Sequence, residues 1–132
     1  MNGLDTNVLV RYLAQDEPRQ TALASHFIEE QCSADSPGYI NHIVLCELAW
    51  VLESNYRQGR EELSTIIERL LLVSQFEIQE AEVVWRALAD YRRSSADFPD
   101  HLLGRINQSS GCDSTLTFDK SAASQPGFQL LG

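Results

Sequence analysis

The feature that most narrows the possible folds is alternation: short extended apolar runs are separated by segments with helical spacing. Gly3-Leu4 reads as a brief first strand, with Asn2 an unusual residue for a buried one. Helical character follows at Val8, Leu9, Tyr12 and Leu13, and Pro18 suits the first turn of a second helix with Ala22, Leu23, Phe27 and Ile28 as its apolar stripe. Ser36-Pro37-Gly38 breaks the pattern before an extended Tyr39-Ile40. A helix is expected from about Val44 to Tyr56, ended near Gly59, and another through Leu63, Ile66, Ile67, Leu70 and Leu71. Phe76 and Ile78 alternate with polar residues as a short strand does. Ala81, Val84, Leu88 and Tyr91 define one more helix, and Pro99 opens the next, which runs to about Ser109 before Gly111. Thr115 to Phe118 is β-rich, and Phe128 to Leu131 suits a final edge strand. Strands separated by helices predict an α/β domain with a mainly parallel sheet. Such sheets carry their sites beyond the carboxyl ends of the strands.

At 132 residues the chain is expected to form one domain, residues 1–132. No apolar run is long enough to span a bilayer, and the N-terminus lacks a basic segment followed by an apolar one, so the expected location is the cytoplasm. Three cysteines without Cys-x-x-Cys spacing argue against a disulfide framework or structural zinc, and His26, His42 and His101 read as ordinary surface or core histidines. The net charge of −9 is awkward for a nucleic-acid binder, because phosphate contacts need Lys or Arg. It suits solubility, a basic partner segment, or a site at which carboxylates hold a metal.

Three acidic landmarks support the last of these. Asp5 follows the first strand and precedes a helix; helix capping explains it equally well, since Asp, Thr and Asn all cap. Glu47 shares a helix face with Ile43, Val44, Trp50 and Val51, whereas Glu53 projects away. A carboxylate on a core-facing stripe is costly unless paired or bound to metal. Asp100 lies in a first helical turn, where the helix dipole favours an acid, and Gly104 and Asn107 share its face, leaving room for close approach. Asp97, just outside that helix, reads as a cap or a further carboxylate. Asp119 ends the last acidic motif, Thr117-Phe118-Asp119, either as a turn residue or as a ligand. Thr6, Asn7 and Thr117 have the side chains to support these acids. Clustered carboxylates repel unless a cation lies between them. Oxygen ligands suit Mg²⁺ or Mn²⁺ rather than zinc, and such ions support phosphodiester hydrolysis.

With these residues in view, the chain resembles the PIN-domain family, and within it the VapC-type toxin ribonucleases of type II toxin–antitoxin systems. Asp5-Thr6-Asn7-Val8-Leu9-Val10-Arg11-Tyr12-Leu13 looks like the family's opening motif, and Glu47 with Leu48-Ala49-Trp50-Val51-Leu52 like its second acidic element. Ala96-Asp97-Phe98-Pro99-Asp100 looks like the third, and Gly111-Cys112 through Thr117-Phe118-Asp119 the fourth. The resemblance implies a three-layer α/β/α sandwich with a central, mainly parallel sheet of about five strands. It implies Mg²⁺- or Mn²⁺-dependent cleavage of RNA, a homodimer and inhibition by a cognate antitoxin. By carry-over, Asp5, Glu47, Asp100 and Asp119 are the catalytic, metal-holding acids, with Asp97 a candidate fifth, and Thr6, Asn7 and Thr117 support them. RNA binding would draw on Arg11, Arg92, Arg93 and Arg105. The alternatives are a non-catalytic PIN-like scaffold that binds a protein partner and, disfavoured because its middle acid would lie on a helix, a receiver-like Mg²⁺-binding signalling domain.

Overall fold

A computed structural model describes residues 1–132, which form two compact units, Met1–Gln79 and Glu80–Gly132. In the first, β1 (Asn2–Gly3) leads through Asp5 into α1 (Thr6–Ala14). β1 is fully exposed, which is why Asn2 is tolerated there. α1 ends where Gln15 takes a left-handed conformation and its N–H bonds the Arg11 carbonyl. The Glu17 side chain accepts from the Arg19 and Gln20 N–H groups and caps α2 (Pro18–His26), with Pro18 in the first turn as expected. α2 then widens into a π-helical turn, Phe27–Gln31. β2 (Gly38–Ile40) follows, then α3 (His42–Asn55), α4 (Arg60–Leu72) and β3 (Phe76–Ile78).

β2 is the middle strand of a parallel sheet, order β1-β2-β3, with Gly3 opposite Tyr39 and Tyr39 opposite Glu77. Gly38 leaves room for the buried Leu4 side chain: a Cβ would lie 2.7 Å from Leu4 Cδ1 and force it to shift. The buried set includes Leu9, Ile28, Ile40, Leu45, Leu48, Leu52, Leu63 and Ile67. Each such side chain contributes about 1.5–3 kcal/mol on burial. The Asn41 side chain accepts from the Val44 N–H and fixes the start of α3. His42 is buried at that start; its ring Nε2 lies 2.8 Å from the Gln79 carbonyl, a core histidine held by the backbone.

The second unit begins with α5 (Ala81–Arg92) packed on α6 (Phe98–Ser109). Between them Tyr91 and Phe98 meet edge-to-face at 5.9 Å, and buried His101 lies 2.5 Å from the Ser94 hydroxyl. β4 (Thr115–Thr117), the one-turn helix α7 (Lys120–Ala123) and β5 (Phe128–Leu130) complete the unit. β4 and β5 pair in parallel, with Thr115 opposite Phe128 and Thr117 opposite Leu130. The chain is thus α/β with five parallel strands, grouped as three and two rather than in one continuous ladder. No helix is long and apolar enough to cross a membrane.

Candidate metal centre

In the first unit one buried residue holds two carboxylates. Asp5 is the N-cap of α1, and its Oδ1 accepts from the Thr6 N–H at 2.9 Å. The Thr6 hydroxyl donates to Glu47 Oε1 at 2.6 Å, across from α1 to α3. Thr6 is 7% exposed, so packing fixes the residue that positions both acids. Each acid is held through one oxygen, leaving its second for another ligand. Asn7 is exposed and is hydrogen-bonded to neither acid; it lines a groove between α1 and α2 instead.

Glu47 does not stand on a core-facing stripe. Ile43, Glu47 and Trp50 are all exposed, Ile43 at 70% and Trp50 at 53%; of the residues sharing the Glu47 face, Val44 is buried and Val51 half-buried. The buried apolar residues of α3 are Val44, Leu45, Leu48, Ala49 and Leu52. Glu47 is therefore a solvent-facing carboxylate among exposed apolar side chains, not a buried charge.

In the second unit, Asp97 and Asp119 are within electrostatic reach of Asp100. Burial pushes the half-buried Asp100 carboxyl above its ordinary value, and the negative charges of Asp97 and Asp119 push it further. Asp97 stands at the N-cap of α6 but makes no capping hydrogen bond, so its carboxylate is not consumed by the helix. Asp119 Oδ1 accepts from the Ser121 N–H at 2.8 Å and caps α7. Thr117 acts differently from expectation: its hydroxyl accepts from the Asp119 N–H, so it fixes the backbone and not the carboxylate. Nor is the space beside Gly104 open. The Phe128 ring fills it, 2.5 Å from where a Cβ would stand, and Asn107 donates to the Thr115 hydroxyl.

The arginines are largely committed within the protein. Arg11 donates to Gln20 and Asp16, with the Tyr56 hydroxyl at 3.5 Å. Arg105 grips Asp90 through two bonds of 2.6 and 3.0 Å, and Arg93 also faces Asp90. The Asp90–Arg105 pair, which ties α5 to α6, was not foreseen. Its signal is weak, since fifteen residues separate the partners.

The donor chemistry fits a hard divalent cation: all the acids present oxygen, and Asp100 carries the excess negative potential that a cation removes. Within neither unit do three or more acidic, His or Cys side chains already stand at ligand distance, as expected of like charges with no cation between them.

The PIN-domain family model matches residues 4–126. The chain belongs to the PIN-domain family. A VapC ribonuclease of Aquifex aeolicus (strain VF5) is similar to this PIN domain, 24% identical over 120 residues, covering 91% of the chain and 88% of the relative. The α/β class and parallel strands expected from the alternating pattern are those of a PIN-like fold.

Proposed function

We propose that this PIN domain is a metal-dependent endoribonuclease, the toxin of a toxin–antitoxin pair, with the two units acting as one domain over residues 1–132. Asp5, Glu47, Asp100 and Asp119 would hold Mg²⁺ or Mn²⁺, with Asp97 as a further acid. Bound there, such an ion supplies a water activated for attack and charge stabilisation at the phosphodiester. The protein's part is orientation. Thr6 holds the Asp5 and Glu47 carboxylates, and Thr117 and the start of α7 hold Asp119.

The observation that carries the reading is the Thr6 bridge, because it spends a buried hydroxyl on positioning an exposed glutamate. The near-full-length similarity to a VapC ribonuclease supports an RNA substrate, and the family resemblance supports a cognate antitoxin and a homodimer. The test is cleavage of an unstructured RNA by purified protein with Mn²⁺, beside Asp5→Asn. Asn caps a helix as well as Asp does, so the variant is expected to keep its circular dichroism and lose cleavage. Undiminished cleavage by Asp5→Asn refutes the assignment.

The second reading is a non-catalytic PIN-like scaffold that binds a protein partner. Calorimetric titration separates the two: Mn²⁺ binding is expected of the nuclease, and its absence of the scaffold.

A further inference from the structure

The sequence holds eleven aromatic residues, five Phe, two Trp and four Tyr. Only two of them are exposed, Trp50 at 53% and Phe118 at 78%. Each stands beside a carboxylate assigned above. Trp50 is three residues beyond Glu47 on α3, and both belong to the exposed face of that helix. Phe118 immediately precedes Asp119, between β4 and α7. The β4–β5 register extends this surface. Leu131 donates its N–H to the Thr117 carbonyl, which sets Phe118 alongside Leu131 on the outer face, with Leu116 two residues earlier on the same side. Trp50 with Ile43, and Phe118 with Leu116 and Leu131, are exposed together, and contiguous exposed apolar area marks binding.

The charges narrow what binds. The chain carries −9; Arg11, Arg93 and Arg105 are held in salt bridges with Asp16 and Asp90, and the exposed Lys120 is the one cation next to an assigned acid, Asp119. A phosphate backbone therefore finds few uncommitted cations, and the affinity that counterion release gives other nucleic-acid binders is small here. Stacking of bases on aromatic rings needs no net charge and is sequence-tolerant. A base is available for stacking only when it is unpaired.

We infer that Trp50 and Phe118 are base-stacking residues that hold unpaired nucleotides of the RNA beside Glu47 and Asp119. The inference rests on the nuclease reading and deepens it, by naming the side chains that select unpaired RNA.

The test is fluorescence anisotropy of a labelled, unstructured RNA with protein in the Asp5→Asn background, with the same RNA annealed to its complement as control. Phe118→Ala and Trp50→Ala are each expected to weaken binding of the unpaired RNA about tenfold, which is about 1.4 kcal/mol and in the range of one stacked base. Phe118→Trp and Trp50→Phe should stay within about twofold of the parent, and Phe118→Leu and Trp50→Leu should fall with the alanine variants. Duplex binding should be the same for all. Leucine variants that bind as well as the parent overturn the inference and assign these faces to apolar docking of a protein. So do alanine variants that bind unpaired RNA normally, or that lose duplex binding equally. A separate arm measures cleavage by the wild-type protein with Mn²⁺. Cleavage with unaltered binding by the alanine variants refutes stacking alone, whereas no cleavage removes the nuclease reading and this inference with it.

Discussion

Replacing Thr6 with Val isolates the hydroxyl that joins α1 to α3. Valine keeps the shape of threonine, so the 7%-exposed site stays filled, and the backbone N–H still reaches Asp5 Oδ1. What is lost is the 2.6 Å donation to Glu47. Hydrogen bonds to charged groups contribute about 1.5–3 kcal/mol. Glu47 is exposed and regains water when released, so the lower part of that range applies, about 1.5–2 kcal/mol. For a chain of this length that is a fall in Tm of about 5–7 °C, measurable by calorimetry or circular dichroism. The freed glutamate samples other rotamers, and loss of such outer hydrogen bonds costs metal sites about 10–100-fold in affinity. Calorimetric titration with Mn²⁺ should therefore show at least about a tenfold loss for Thr6→Val. Thr6→Ser keeps the hydroxyl and should keep the affinity. If valine matches the wild type in both Tm and Mn²⁺ affinity, the bridge positions nothing. If serine falls as far as valine, the methyl group matters and the hydroxyl does not.

Three further outcomes follow from the second unit. Asp100 has a carboxyl raised in the fold by burial and by Asp97 and Asp119, so its ionisation opposes folding. The cost is absent below the ordinary carboxylate pKa and grows as pH rises through the raised value. Asp100→Asn should thus melt higher than the wild type at pH 7 without metal, the gap should close in acid, and cleavage should be lost. For Asp90, burial pushes the carboxyl up, but the hydrogen bonds and charge of Arg105, aided by His101 and Arg93, outweigh it and leave a net downward shift. Arg105→Ala should cost about 1–2 kcal/mol by urea denaturation at pH 7. That loss should shrink as pH falls through the depressed Asp90 value, because the pair's stabilisation disappears there. Gly104→Ala gains about 1 kcal/mol of helix propensity but drives a Cβ to 2.5 Å from the Phe128 ring. The displaced ring should make the variant less stable overall, with faster hydrogen exchange at Thr115, whose N–H bonds the Gly127 carbonyl beside it.

Elements with several turns or clean alternation were legible in the sequence. α5 and α6 lie within a residue of their expected starts, because Ala81 to Tyr91 keeps one stripe and Pro99 marks a first turn. β3 has the expected alternation, buried, exposed, buried. α7 was not foreseen, because one turn has no periodicity to read. The π-helical turn at Phe27–Gln31 was also hidden, since an extra residue per turn leaves no mark in composition. Glu47 was singled out for a reason the fold does not support. Ile43 and Trp50 are apolar yet exposed, and Val44, Leu45, Leu48, Ala49 and Leu52 form the buried side of α3. The partner of Glu47 was out of reach, because Thr6 is 41 residues away. Composition does not say whether the Thr117 hydroxyl meets a side chain or a backbone N–H; in the fold it meets the Asp119 N–H.

Asp5 and Asp119 serve two ends at once, as assigned metal carboxylates and as the caps that start α1 and α7. That double duty shapes how such a gene can lose its activity. Alanine at either position removes a cap, at about 0.5–2 kcal/mol each, whereas asparagine keeps it and removes only the charge. Under selection against a harmful activity, the lineage that survives with least damage to folding carries asparagine there. Its product is silent yet intact, and keeps every surface by which it meets its partners.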